Sequence, residues 1–176
     1  MVGMQARTMA TVAVLAAMMA HARVGESVKQ SEARYGGAGQ ELQDTEAFIL
    51  KNAQNVVYRH GDWIITAAYA NDVTVRIQYE KVSAQQPHAQ LQREDVAEIL
   101  EAEDAGGWTA FNELTQKAGK AYTGASHPPA VMKSASGLTA RYQVFKVTVE
   151  SPAAARHEAG LNPQQKRLPA GRRVAL

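Results

Sequence analysis

The sequence predicts an α+β domain in which one amphipathic helix lies on a four-stranded, mainly antiparallel sheet, between disordered termini. Three observations carry this. Three β-prone runs follow one another with turn residues between them. One later segment repeats its apolar residues at helical spacing and stops at a double glycine. A last run alternates apolar and polar residues before the chain turns polar again.

The first run, Asn55-Val56-Val57-Tyr58-Arg59, stops at His60-Gly61-Asp62, where glycine and aspartate suit a tight turn. Strand character resumes at Trp63 and ends at Ala70-Asn71-Asp72. Val73, Val75, Ile77 and Tyr79 then fall on one face, with Thr74, Arg76, Gln78 and Glu80 on the other, as in a strand packed on one side and wet on the other. In succession these runs read as an antiparallel meander. After a glutamine-rich linker with Pro87, residues 93–105 place Val96, Ile99 and Leu100 at helical spacing, and Gly106-Gly107 supplies the stop. Past Trp108, the stretch through Phe111 and Leu114 to Pro129 reads as an irregular or part-helical connection. Residues 138–149 close the domain. Leu138, Ala140, Tyr142 and Val144 form its apolar set until Phe145, where Phe145, Val147 and Val149 take over. A phase change inside a strand implies a bulge or burial on both faces, and the pattern leaves both open.

The flanks lack such patterning. Residues 23–44 hold glycines at 25, 36, 37 and 39 and no apolar periodicity, which predicts a flexible leader. Residues 151–176 contain Pro152, Pro163 and Pro169, with Arg156, Lys166, Arg167, Arg172 and Arg173 against the single acid Glu158, which predicts a basic disordered tail. The folded unit is therefore expected over residues 45–150.

At 176 residues, with 45% hydrophobic and 6% aromatic residues, the chain has room for one domain with a modest core. A net charge of +2 excludes a chain-wide basic field for nucleic acid or anionic membranes. The absence of cysteine excludes disulfides, thiol nucleophiles and thiolate metal sites. Residues 1–7 carry one positive charge, residues 9–20 run apolar, and Ala20-His21-Ala22 is a small-x-small site. That order predicts a secretory signal peptide, residues 1–22, cleaved after Ala22. An uncleaved membrane anchor or a buried N-terminal helix is the alternative, although the run falls short of the roughly 20 apolar residues a membrane span uses. The expected location is periplasmic or secreted, in a bacterium.

The motifs Trp63-x5-Tyr69, Val73-x-Val75-x-Ile77-x-Tyr79-Glu80-Lys81, Gly106-Gly107-Trp108 and Gly137-x-x-Ala140-x-Tyr142 together resemble small exported bacterial proteins of unknown function. The resemblance covers about half the chain. It implies export and the α+β order, and it brings no catalytic or binding residue with it.

Chemistry-bearing residues are sparse. The five histidines are isolated in sequence, so no metal site is expected. Ser134 and Ser136 lack the Gly-x-Ser-x-Gly or Ser-x-x-Lys context of a nucleophile and read as a polar turn. Gly36-Gly37-Ala38-Gly39 follows no strand and fails as a phosphate loop. The helix carries Glu94, Asp95, Glu98, Glu101, Glu103 and Asp104, read as a solvated face that can also dock a partner. Among aromatics otherwise assigned to the core, Trp108 is the candidate exposed anchor. The candidate binding residues are thus Trp108, Glu98 and Glu101, with Arg167, Arg172 and Arg173 in the tail; no catalytic residue, metal or cofactor is expected. These features predict a non-enzymatic binding or interaction module of the bacterial cell envelope with a protein partner. The alternative is an envelope enzyme or enzyme accessory using carboxylates of the 94–104 helix. No sequence-specific nucleic acid binding is expected, and membrane contact only through an uncleaved signal or weakly through the tail.

Overall fold

The computed structural model describes residues 23–83, 88–104, 106–110 and 131–161. The predicted signal peptide, Phe111, Leu114 and the tail arginines Arg167, Arg172 and Arg173 lie outside them. In chain order the elements are α1 (Val28–Tyr35), β1 (Gln40–Glu41), β2 (Gln54–His60), β3 (Trp63–Ala70), β4 (Val73–Lys81), α2 (Arg93–Glu103), β5 (Trp108–Ala110), β6 (Val131–Ser134), β7 (Thr139–Gln143), β8 (Lys146–Glu150) and α3 (Pro152–Gly160). The strands form one antiparallel sheet in the order β1-β2-β3-β4-β8-β7-β6-β5, two four-stranded meanders joined where β4 pairs with β8.

This corrects the expected architecture. Among the described residues the fold is mostly β, with eight strands and three helices, where a four-stranded sheet with one helix was predicted. The β2-β3-β4 meander is present, with Val56 opposite Ala67 and Ile65 opposite Tyr79. The predicted closing strand is instead a hairpin. Gln143 pairs with Lys146, and Val144 and Phe145 form the two-residue turn, so the phase change marks a reversal of the chain. Glycine, proline, asparagine and aspartate are all missing there, which is why no turn was legible.

The predicted leader holds α1. Ser27 caps it, its hydroxyl accepting from Gln30 N while the Gln30 side chain accepts from Ser27 N, and Gly36 ends it in the left-handed conformation at φ 78°. The predicted tail holds α3, which opens on Pro152, a residue suited to the first helical turn. Helix α2 ends at Glu103, two residues before the expected stop, because Asp104 takes the cap position and its carboxylate accepts from Gly106 N at 2.8 Å.

A bulge divides β4. Tyr69 faces Thr74 while Ala68 faces Arg76, leaving Val75 unpaired. Beyond it Ile77 and Tyr79 join the main core with α1 and α2, whereas Val75 joins Ala68, Leu50 and Ala154 on the other face. The uniform alternation of Val73, Val75, Ile77 and Tyr79 is therefore broken, and Val73 is exposed.

The two faces differ in how they hold their helices. The α1/α2 face buries Tyr58, Trp63, Ile65, Tyr79, Ile99 and Met132 with their neighbours, at about 1.5–3 kcal/mol for each large side chain. On the α3 face the buried cluster is only Leu50, Ala68, Val75 and Ala154. Polar contacts make up the difference. Ser151 N donates to Val75 O at 2.9 Å, His157 Nε2 lies 2.9 Å from Lys51 O, and Arg76 reaches the helix through Glu158.

Candidate functional site

Beside α3, the second face of the sheet is open and polar. Arg76 is its central cation, with Nε donating to Glu150 at 2.9 Å and Nη1 donating to Ile49 O and Glu158, each at 2.8 Å. Its donors are spent on these partners, so Arg76 clamps α3 and the 49–50 segment to the sheet. Around the clamp runs a groove of about 760 Å³. Thr66, Gln78, Gln143 and Thr148 supply hydroxyl and amide groups to it, Arg141 and Lys146 supply cations, and Phe48 and Ile49 line one wall. The bilateral alternation of the strands places the six polar and charged side chains here: each adjoins a residue that packs on the α1/α2 face.

At one end the groove meets the β7–β8 turn. Val144 and Phe145 are each 49% exposed there, although large apolar residues are normally withdrawn from a hairpin tip. They border a second cavity of about 440 Å³, which shares Glu80, Gln143 and Lys146 with the groove, so apolar tip and polar floor form one surface. The tip is braced from behind. Leu91 N donates to Val144 O at 3.1 Å, Ala89 N donates to Lys81 O at 2.7 Å, and His88 Nδ1 lies 3.1 Å from Glu80. The backbone is fixed while both side chains face solvent.

Of the sequence-predicted site residues, Trp108, Glu98 and Glu101 are among the described residues, and none of the three lines this surface. Trp108 is 9% exposed in the main core and donates its indole N–H to Leu100 O at 2.7 Å, so it is a packing residue with no face to offer. Glu98 is half-buried and Glu101 exposed, both on α2 across the sheet from the groove. Glu98 adds to the field that raises the Lys81 ammonium, whose main partner is Asp95 at 2.7 Å. Val144 and Phe145 were missed because their apolar character fitted a strand. The available signal was the change of phase between them.

Two further acids, at the end of α2 and at its cap, have defined work. Glu103 turns inward, accepting from Tyr79 OH and, at 2.9 Å, from Val24 N; burial pushes its carboxyl up to about 7 against those two hydrogen bonds. Asp104 accepts from Ser136 Oγ at 2.5 Å and from Ser136 N at 3.2 Å, and the Ser136 hydroxyl, with Gly106 N, holds it down at about 2. Ser134 and Ser136 are thereby turn and cap residues, their hydroxyls 3.0 Å apart, and His60, His88 and His157 have their neighbours elsewhere. Among the described residues no three His, Asp or Glu side chains converge to hold a metal ion, and no helix is long and apolar enough to cross a membrane.

Comparison with family models, with curated proteins and with solved structures found no match to this chain.

Proposed function

We propose that the protein is an exported, non-enzymatic interaction module of the bacterial cell envelope, and that it binds a protein partner through the β7–β8 tip and the adjoining groove. One observation carries this reading: two large apolar side chains stand exposed on a braced turn, at the mouth of a polar groove. A central apolar anchor beside a rim of hydrogen-bonding groups is the usual composition of a protein interface. The groove floor offers amides, hydroxyls and charges of both signs, which suit peptide groups and polar side chains better than a single-charge ligand. The carboxylates Glu98 and Glu101 lie on α2 across the sheet from this surface, and the half-buried Glu103 accepts from Tyr79, so the proposed docking surface draws on none of these carboxylates of the 94–104 helix.

The test is capture from envelope extracts with the full chain, at low and high salt, beside Phe145→Asp. A stoichiometric partner that survives high salt and is lost with Phe145→Asp, at unchanged thermal midpoint, is the expected result. Capture indifferent to Phe145, or lost in salt whatever the tip, overturns it.

A further inference from the structure

The segment that begins at Arg23 is fastened to the fold with more bonds than its sequence suggests. Gly25 N donates to Thr74 O, and both Thr74 N and Thr74 Oγ1 donate to Glu26 O, all between 2.7 and 2.8 Å; Ser27 bridges to Val73. These bonds lay the segment along the start of β4. They also place its first two nitrogens beside carboxylates. Arg23 N is 3.4 Å from Glu26 Oε2, and Val24 N is 2.9 Å from Glu103 Oε2. Arg23 itself is exposed.

We infer that this corner is a receptor for a new amino terminus: cleavage after Ala22 creates an ammonium at Arg23 that pairs with Glu26 and Glu103 and completes the fold. The inference rests on the export reading above. Hydrolysis by a signal-cleaving protease of the exporting cell breaks the Ala22–Arg23 amide bond. Water's oxygen goes to the Ala22 carboxyl, and the Arg23 nitrogen gains the protons that make it an ammonium.

Every charged group facing the corner fits this assignment. On α1, Arg34 Nε donates to Glu26 at 3.1 Å and a second guanidinium nitrogen pairs with the same carboxylate, while Tyr35 lies nearby. On β4, Tyr79 donates to Glu103, and its own ionisation is driven well upward by burial, so it stays neutral. The exposed Arg23 guanidinium adds a weaker, solvent-screened attraction to Glu103. The Arg34 guanidinium is engaged by Glu26, the donors hydrogen-bonded to Glu103 are Tyr79 OH and Val24 N, and the ammonium adds a cation one residue away from that inner carboxylate. Before cleavage burial holds the Glu103 carboxyl up at about 7, against the hydrogen bonds from Tyr79 OH and Val24 N. After cleavage the pair favours the carboxylate.

The experiment is to express the full chain in an exporting bacterium, purify the envelope product, read its N-terminus by intact mass, and titrate its α-amine by NMR. The expected product starts at Arg23, and its amine titrates at least about one unit above the ordinary ~8. Carbamylating that amine with cyanate is expected to lower the thermal midpoint at pH 7 by about 3 °C or more. Glu26→Gln and Glu103→Gln should each return the amine toward its ordinary value, and the carbamylation arm needs neither variant to fold. A chain left uncut sinks this inference and the export reading together, and cleavage at another residue sinks the inference alone. Cleavage at Arg23 with an ordinary amine and no effect of carbamylation also overturns the receptor while leaving export intact.

Discussion

The β3–β4 turn and the β7–β8 turn perform the same task with opposite residues. At the first, Asn71 and Asp72 take left-handed conformations, φ 55° and 60°, which twist the strands as a two-residue hairpin prefers and which asparagine and aspartate tolerate. At the second, Val144 and Phe145 are not among the described residues with positive φ, and they leave apolar surface in water. The first turn has residues suited to its backbone. The second has residues that serve neither backbone nor core, which is the observation behind the proposed docking surface.

Exchanging the two chemistries is the most direct way to break this contrast. Phe145→Asp should weaken partner capture by about 2–4 kcal/mol, the usual loss for an aromatic anchor, and leave the thermal midpoint in place. The double change Val144→Asn with Phe145→Gly should abolish capture too while raising stability in urea by about 0.5 kcal/mol, since it installs a favoured hairpin turn. A fall in stability instead would mean that the apolar tip is structural.

A pH scan separates both turns from the fold's own titration. While Arg23 N remains an amide, Glu103 is protonated up to about pH 7 in the folded chain and only to its usual 4.5 when unfolded. The folded state then binds the proton more tightly. Its contribution is complete below the unfolded value and is lost as pH rises through the folded one, by roughly 3 kcal/mol at most. Urea midpoints from pH 4 to 8 should show this decline in the uncleaved chain and a flat profile in Glu103→Gln, with neither turn variant altering it.

Asn71→Val places a β-branched residue at positive φ and should cost about 1–2 kcal/mol in urea without affecting capture, the converse of Phe145→Asp. The smallest effect belongs to Asp104→Asn. The carboxylate's value is depressed to about 2 by Ser136, so its stabilisation is present above the usual 3.8 and lost only as pH falls below it; thermal midpoints should differ from wild type above pH 4 and converge toward pH 2.

What was legible in the sequence follows where local chemistry and tertiary structure agree. Gly61 and Asn71-Asp72 mark turns by their backbone preferences, and Val96, Ile99 and Leu100 mark a helix by spacing, so the first meander and α2 were readable. Helix α1 was hidden because its packing rests on Tyr35 and few other apolar residues, although Ser27 and Gln30 had the spacing of a capping box. Helix α3 was hidden because alanines and Arg76's ion pairs, from a strand far away in sequence, hold it. The bulge at Val75 cannot be seen in β4 alone, since it is a relation between β4 and β3. For the site, the sequence pointed to the largest aromatic after a double glycine. Trp108 instead found a carbonyl partner inside, and the exposed aromatic was the one disguised as strand.

One outermost strand carries a consequence for self-association. Among the described residues β1 has two residues and is bounded by described chain on both sides, so the sheet ends in a stub at that border. A stub offers too few unpaired amides and carbonyls to template a neighbouring chain. At the β1 border two molecules therefore have little backbone with which to pair edge to edge.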